Sequence, residues 1–427
     1  MAPPRCDIAL VGAGAAGLYA AHHAGLTLRE AGASGATVTA FDGARRLGAK
    51  ILIAGGGRCN VTHDVVQPRD YTGGPGSTAN TIKNILRSHP VDDVVAFFAQ
   101  RGVELKREDT GKLFPTTDRA RTVLNALLQA CYDVDATLLT DHRVHAIERR
   151  TDGGGFVLTT SQGEVHAARV ILCPGGRALP RTGSDGGGYR LAEALGHTVT
   201  PTWPALVPLR LPDGHWLTGL KGIAVDAELN LHNATGKVLH RQRGAVLLTH
   251  FGLSGPAAMD ISRHFGGDFC DDHHRLSANL LPGSDFNACD AQVVGLTRAH
   301  PRSSLQQLVA EHVPDRLAAA VVREAAGQDP TLTLAQLTKA GRRALVRALT
   351  ALPLPVVADR GYDHAEVTAG GVPLAEIERS TMESRVCPGL YLAGEILDVD
   401  GRIGGYNFQW AWCTGRLAGR AAALFIH

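Results

Sequence analysis

The sequence predicts an α/β chain in which one parallel-sheet domain is assembled from both chain ends. A small β insert and a helical insert interrupt it. Three observations carry this. The chain opens with strand, glycine turn, helix and second strand, a β-α-β unit of about 35 residues. Short strand-like runs with Pro and Gly punctuation then fill 202–282 and give way to helical periodicity from Asp285 to about Leu352. Strand-like segments return from 353, and the chain closes in a helix from about Asn407 to Leu424. The expected partition is 1–200 with 353–427 for the main domain, 201–284 for the β insert and 285–352 for the helical insert.

Each element has a local reason. Asp7 to Val11 carries Ile-Ala-Leu-Val, an apolar run suited to a strand buried on both faces. The helix from about Ala15 to Ala24 follows the glycine turn, and Ala36 to Phe41 is the second strand. Residues 44–80 are rich in Gly, Asn, Pro and Thr and read as a long functional loop region. Helical patterns follow at about 79–88, 91–101 and 118–131. Residues 137–149, 156–160 and 164–172 alternate apolar and polar and read as a three-stranded meander. A helix at 185–195 closes the first segment. In the inserts, Ala205–Leu211, Ala224–Asn230 and Ala245–Leu248 read as strands, and Leu305, Leu308, Val309 and His312 share one helical face.

Composition sets limits. At a typical ~150 residues per domain, 427 residues amount to about three units. The 43 Lys+Arg against 41 Asp+Glu leave a net charge of +2, which excludes a strongly basic surface, so no nucleic-acid partner is expected. No apolar window reaches the length of a membrane span. The eight cysteines are scattered without a CxxC pair, so reduced thiols and a cytoplasmic location are expected. The 50 glycines are about 12% of the chain against a usual ~7%. Without a repeat, such a surplus belongs where backbone turns tightly or approaches something closely.

Six motifs hold much of that glycine. Gly12-Ala13-Gly14-Ala15-Ala16-Gly17 follows a strand and opens a helix, the context in which GxGxxG binds a dinucleotide. The first glycine makes the turn, the second lets a pyrophosphate approach, and the third lets helix and strand pack. The helix N-terminus adds free N–H groups. Asp42, at the end of the second strand, is placed to hold the adenosine ribose. The second motif runs from Leu47-Gly48-Ala49-Lys50 to Gly55-Gly56-Gly57-Arg58-Cys59-Asn60. Its three consecutive glycines permit positive φ and leave no side chain to obstruct a ligand. Cys59 reads either as a redox thiol or as a packed, unreactive one. The third, Cys173-Pro174-Gly175-Gly176, follows a buried strand. The fourth, Thr182 to Tyr189, leads into a helix without a preceding strand, so it is not a second nicotinamide fingerprint.

The fifth is Leu248 to Pro256, where His250 reads either as a structural histidine or as an acid–base group. Asp271-Asp272-His273-His274 reads as a solvated loop, and no metal site is expected. The sixth runs from Gly389 through Gly394-Glu395 to Gly404-Gly405-Tyr406-Asn407-Phe408. A strand ends at Gly394-Glu395, and paired glycines then open a helix whose N-terminus suits an electron-rich group such as the N1–C2 oxygen edge of a reduced flavin.

With these motifs the chain resembles the BaiN-type, or aminoacetone-oxidase-family, bacterial FAD-binding flavoproteins. The resemblance rests on GAGAAG, LGAKILIAGGGRCNVT at 47–62, THFGLSGPA at 249–257, EVTAGGVPLAEI at 366–377 and the long stretch at 381–412. It spans essentially the whole chain. It implies a Rossmann-like FAD-binding domain made of both chain ends, with a β-barrel-like insert and a helical insert. A more distant likeness is to fumarate-reductase-type flavoproteins. Carried onto this sequence, the FAD contacts are Gly12, Gly14, Ala15, Ala16, Asp42, Gly43, Lys50, Gly57, Arg58, Cys59 and Asn60. Val144 and Gly175 join them on the adenine side, and Gly394, Glu395, Gly405, Tyr406, Asn407 and Phe408 on the flavin side. Two departures stand out: Asp42 replaces the commoner Glu, and His63 stands where Asn is usual.

The activity this implies is FAD-dependent oxidoreduction, with NAD(P)H delivering hydride through flavin N5 to an activated, enone-type C=C of a small molecule. Arg58, His250 and Tyr406 are the catalytic candidates. Two alternatives stay open: an oxidase that passes electrons from an amine or amino-ketone to oxygen, and a non-catalytic redox sensor. No second nucleotide motif announces NAD(P)H, and the sequence leaves the oligomeric state open.

Overall fold

The computed structural model describes residues 3–33, 35–151, 154–266, 274–424 and 426. The chain forms two compact units, Met1–Trp203 with Glu366–His427, and Pro204–Ala365.

In the first unit β1 (Arg5–Val11) leads into α1 (Ala15–Glu30) and β2 (Val38–Phe41). A short helical segment, α2 (Ala49–Gly57), precedes β3 (Thr62–His63), β4 (Leu105–Arg107) and β5 (Lys112–Pro115). Then come α3 (Ala120–Tyr132), β6 (Thr137–Leu139), β7 (Val144–Arg149), β8 (Phe156–Thr160), β9 (Gly163–Leu172) and α4 (Gly187–Ala194). The second chain end returns β10 (Leu390–Leu392) and α5 (Tyr406–Leu424).

Five strands pair in parallel in the order β10-β9-β1-β2-β6. Ile8 and Leu10 of β1 and Ile171 and Leu172 of β9 are fully buried, as central parallel strands require. Each such side chain contributes about 1.5–3 kcal/mol of burial. β7, β8 and the first half of β9 form an antiparallel meander.

One segment departs from the alternation pattern. Residues 137–149, expected as one strand of the meander, are two strands. β6 pairs in parallel with β2 at the sheet edge, whereas β7 starts the meander. The break lies at Asp141, whose φ of 56° turns the chain out of the strand direction. Alternation marks which residues face the core, not which neighbour they pair with.

The second unit carries a seven-stranded antiparallel sheet in the order 352–354, 274–279, 224–233, 238–249, 252–254, 209–210, 358–359. Its two edge strands are neighbours in sequence. A flat sheet of seven strands at ~4.8 Å spacing would separate its edges by about 29 Å. The four Cα steps from Leu354 to Ala358 can span only about 15 Å. The sheet therefore curls back on itself into a barrel-like shape. The helices at 286–299, 305–310, 315–320 and 339–350 do not form a core of their own. Leu305, Val309, Val321 and Leu345 share one apolar cluster with Leu229, Leu231 and Leu253 of the sheet. Residues 204–284 and 285–352 thus lie in one compact unit, which begins at Pro204 and continues to Ala365. Asp271, Asp272 and His273 lie outside the described residues.

Candidate functional site

Four parallel strands of the first unit end along one edge, and each ends at residues the motifs singled out. β1 ends just before Gly12, β2 just before Asp42, β9 just before Cys173 and β10 two residues before Gly394. The C-terminal edge of a parallel sheet is where such folds bind ligands.

The three fingerprint glycines have different physical reasons. Gly12 has a φ of 102°, and a Cβ there would lie 2.5 Å from the Cys173 carbonyl oxygen. A Cβ on Gly17 would overlap the Gly12 carbonyl oxygen. Gly14 differs: a Cβ there meets nothing within 4 Å. Protein packing explains the first and third glycines but leaves the second facing open space. Gly14 is also the N-cap of α1, with no side-chain cap and no acid in the first turn. The N–H groups around Ala15 and Ala16 are thus left to an external acceptor.

Asp42 braces this turn. Its Oδ2 accepts from Ala13 N–H at 2.8 Å and its Oδ1 from Ala44 N–H at 2.7 Å. A Cβ on Gly43 would sit 3.0 Å from Arg143 Cβ, which places Val144 at the same end of the edge. Arg143 in turn holds Asp185 at 2.7 Å. Burial would raise the Asp185 carboxyl, but the Arg143 bond and the Gly187 N–H outweigh it and hold it below its ordinary value. Gly175 has a φ of 82° and lies against Ser184.

At the other end Lys50 and Glu395, 345 residues apart, form a 2.6 Å ion pair with side chains 27% and 17% exposed. Glu395 Oε1 also accepts from Thr368 N–H at 2.9 Å, and Thr368 Oγ1 accepts from the N–H groups of Arg177 and Ala178. A Cβ on Gly176 would lie 2.5 Å from Thr368 Oγ1 and 2.8 Å from Glu395 Oε1. Sequence reasoning missed Thr368, which ties three segments together. Its signal lay in the EVTAGGV stretch, where a lone threonine precedes the glycine pair.

Helix α5 is set by close packing on α1. Cβ atoms on Gly415 and Gly419 would strike the carbonyl oxygens of Ala16 and Ala20. Contact at 16 with 415 and at 20 with 419 makes the two helices parallel, so both N-termini point to the same edge. Gly394 packs against Ala16 and donates its N–H to Thr414 Oγ1 at 3.0 Å. Gly405, with a φ of 97°, leaves room for the backbone of Thr62, and a Cβ would lie 2.5 Å from Thr62 C. The Asn407 side chain closes the loop before the helix, accepting from Gly401 N–H at 2.8 Å and donating to Gly401 O at 2.9 Å. Phe408 stacks on Trp412 at 5.5 Å. Trp412 is fully buried and donates Nε1–H to Val61 O at 2.9 Å, so it anchors the helix.

In the Gly-rich loop, Gly55, Gly56 and Gly57 have φ of 57°, 69° and 85°. Cys59 follows at 62° and is fully buried, and burial pushes its thiol up to about 12. That is a packed thiol, not a redox-active one. Asn60 is buried, and its Oδ1 has no hydrogen-bond donor among the described residues. Arg58 does not enter this constellation as a spare donor. Its guanidinium bonds Glu108 at 2.6 Å, lies 3.6 Å from Asp118 and sits 4.0 Å above the Phe114 ring. Tyr406 is buried, stacked on His63 at 4.8 Å, and its carbonyl accepts from Tyr71 OH at 2.9 Å. His250 belongs to the second unit, exposed on the turn at 249–252 with its ring edge-on to Phe251.

Open space above Gly14, an uncapped α1, a second helix start at Tyr406 and an orphaned Asn60 oxygen fit a dinucleotide with an anionic middle and a polar ring at one end. Fold and site together define a Rossmann-type FAD-binding flavoprotein. The HI0933-like protein Rossmann domain matches residues 6–421, and the chain belongs to that family of FAD-dependent oxidoreductases. Over 413 residues it is 34% identical to the ribosomal RNA dihydrouridine synthase of Escherichia coli (strain K12), covering 96% of each chain. Over 421 residues it is 34% identical to the 3-dehydro-bile acid delta(4,6)-reductase of Clostridium scindens, covering 97% of this chain and 98% of the relative. Among solved structures, a quinol-fumarate reductase with menaquinol superimposes with a TM-score of 0.51 at 17% identity, over 99% of this chain and 72% of that one, and shows the fold. Among the described residues, no helix is long and apolar enough to cross a membrane.

Proposed function

We propose that this protein reduces a C=C bond conjugated to a carbonyl, using FAD and electrons from NAD(P)H. The observation that carries the reading is the pair of whole-chain relatives taken together. A dihydrouridine ring is a uracil whose C5=C6 bond, conjugated to the C4 carbonyl, has been saturated. The delta(4,6) bonds of a 3-keto bile acid are conjugated to the C3 carbonyl. The two named substrates share little beyond that polarised alkene.

Bound FAD supplies a hydride carrier at N5. The residues along the edge hold it. Asp42, Gly43, Val144 and Gly175 serve the adenosine end, and Gly12, Gly14, Ala15 and Ala16 receive the pyrophosphate. Lys50, Gly57, Arg58, Cys59 and Asn60 line the middle through backbone and amide groups, with Cys59 contributing no thiolate. Gly394, Glu395, Gly405, Tyr406, Asn407 and Phe408 receive the flavin end, where the start of α5 favours negative charge. Tyr406 and His250 remain proposed catalytic groups. The commitment of Arg58 to Glu108 makes it a positioning residue for the 55–60 loop.

The expected small-molecule substrate is an enone. The rRNA-named relative adds uracil in RNA, a partner that the near-neutral charge of the chain spoke against. The deciding experiment is anaerobic. The flavin is bleached with NADH or NADPH and then mixed with a 3-keto-4,6-diene steroid, or with a uridine-containing rRNA fragment. Return of the oxidised spectrum with one acceptor names the substrate class. Bleaching by an amine and reoxidation only by oxygen would overturn the proposal in favour of an oxidase.

A further inference from the structure

We propose that Lys112 is the cation that receives the substrate carbonyl oxygen, an assignment that rests on the alkene-reduction reading above. His63 on β3 and Lys112 on β5 are directly opposite in an antiparallel pair, so their side chains share one face. That face meets the start of α5. A Cβ on Gly404 would lie 3.4 Å from Tyr406 Cε2, 3.5 Å from Lys112 Cε and 3.6 Å from His63 Cδ2. Three functional side chains thus converge on one buried stretch of bare backbone.

Of the three, Lys112 has the donor to spare. His63 is held at both nitrogens: Nε2 lies 2.9 Å from Thr110 O, and Nδ1 lies 2.9 Å from Asp64 Oδ1 and 3.1 Å from Val65 N. Its ring is stacked on Tyr406 at 4.8 Å. The other cations around this small sheet each hold a carboxylate: Arg58 with Glu108, Lys106 with Asp118 and Arg107 with Asp64. Lys112 is half-buried, and its ammonium group forms no hydrogen bond or ion pair among the described residues. With Asp64, Glu108 and Asp118 engaged elsewhere, its charge is available to a ligand oxygen.

The chemistry needs such a group. Hydride arriving at the β-carbon drives the C=C electron pair toward the carbonyl, and the oxygen takes on negative charge. A proton from solvent then completes the α-carbon. An ammonium N–H aimed at that oxygen is worth more as the charge grows, and no bond at Lys112 breaks.

The test uses the FAD-loaded protein and 4-chlorophenol, whose phenolate mimics the enolate oxygen and gives a long-wavelength charge-transfer band on oxidised flavin. Lys112→Met is expected to raise the phenolate Kd at least tenfold and to slow reoxidation of reduced flavin by the enone at least tenfold. FAD content and reduction by NAD(P)H should change less than threefold. Lys112→Arg should bring the phenolate Kd back within threefold of wild type. Equal phenolate affinity in wild type and Lys112→Met, no phenolate binding by wild type, or loss of FAD from both variants would each overturn the assignment. Phenolate binding that Lys112→Met abolishes, with no enone or uracil reoxidising wild type, supports the oxyanion site and refutes the alkene-reduction reading instead.

Discussion

Gly14 and Gly17 lie three residues apart in one motif, and the structure predicts opposite consequences for the same substitution. Alanine at Gly14 introduces a Cβ with no protein atom within 4 Å, at a residue with φ of −81°. In the apoprotein, the backbone restriction of alanine stabilises by about 0.4–1 kcal/mol, and alanine's poorer N-cap costs roughly the same, about 0.5–1 kcal/mol. The urea midpoint of apo Gly14→Ala should therefore stay close to wild type. In the holoprotein the same Cβ fills the space assigned to the pyrophosphate. Overpacking of that kind costs about 1–3 kcal/mol, which weakens FAD binding roughly 5- to 150-fold. Alanine at Gly17 does the reverse. Its Cβ overlaps the Gly12 carbonyl oxygen and lies 3.1 Å from Cys173 Sγ. The obstruction is largely backbone, so apo stability should fall by about 2 kcal/mol or more even after the helix-propensity gain. Urea unfolding of both apoproteins and fluorescence titration with FAD measure the two quantities. Gly14→Ala with an FAD Kd within threefold of wild type would show that nothing lies over that turn and would refute the cradle.

Three further outcomes follow from the same geometry. Glu395→Gln keeps an acceptor for Thr368 N–H but leaves Lys50 without its counter-charge, so urea unfolding should show a loss of about 1–2 kcal/mol, moderated by the partial exposure of the pair. Native Cys59 should resist iodoacetamide at pH 8, because a thiol pushed to about 12 holds about one part in ten thousand as thiolate; rapid labelling at this position would contradict the packing. In the second unit His264 stacks on His240 at 3.7 Å, and burial pushes it down to about 3. Its folded value lies below the unfolded ~6.5, so its stabilising contribution is complete above pH 6.5 and is lost as pH falls from there toward 3, at up to about 1.4 kcal/mol per pH unit. His264→Phe should flatten that part of the urea-stability profile, and an unchanged slope would count against the buried neutral ring.

Local chemistry was legible without coordinates. The GxGxxG turn, its flanking strand and helix, and Asp42 could be read from the chain because glycine conformation and helix capping act over a few residues. The same holds for the start of α5 after Gly404-Gly405. Even there, the sequence could not separate the glycines that protein atoms demand, Gly12 and Gly17, from Gly14, which they do not.

What tertiary structure alone decided depends on residues distant in the chain. Alternation along 137–149 could not reveal that the segment feeds two different neighbours. Helical periodicity in 285–352 marked an apolar face but not that the face shares its core with the barrel-like sheet. In the sequence Arg58 reads as a ligand donor, whereas in the fold Glu108, 50 residues on, holds its guanidinium. Lys50 meets Glu395 across 345 residues, and Lys112 lies against Gly404 across nearly three hundred. By itself the sequence determined where the backbone turns and where a phosphate can approach. Which charges are already neutralised, and which one is left for a ligand, is settled only when packing brings distant side chains within a few ångströms, because electrostatic and hydrogen-bond partners are chosen by distance in space.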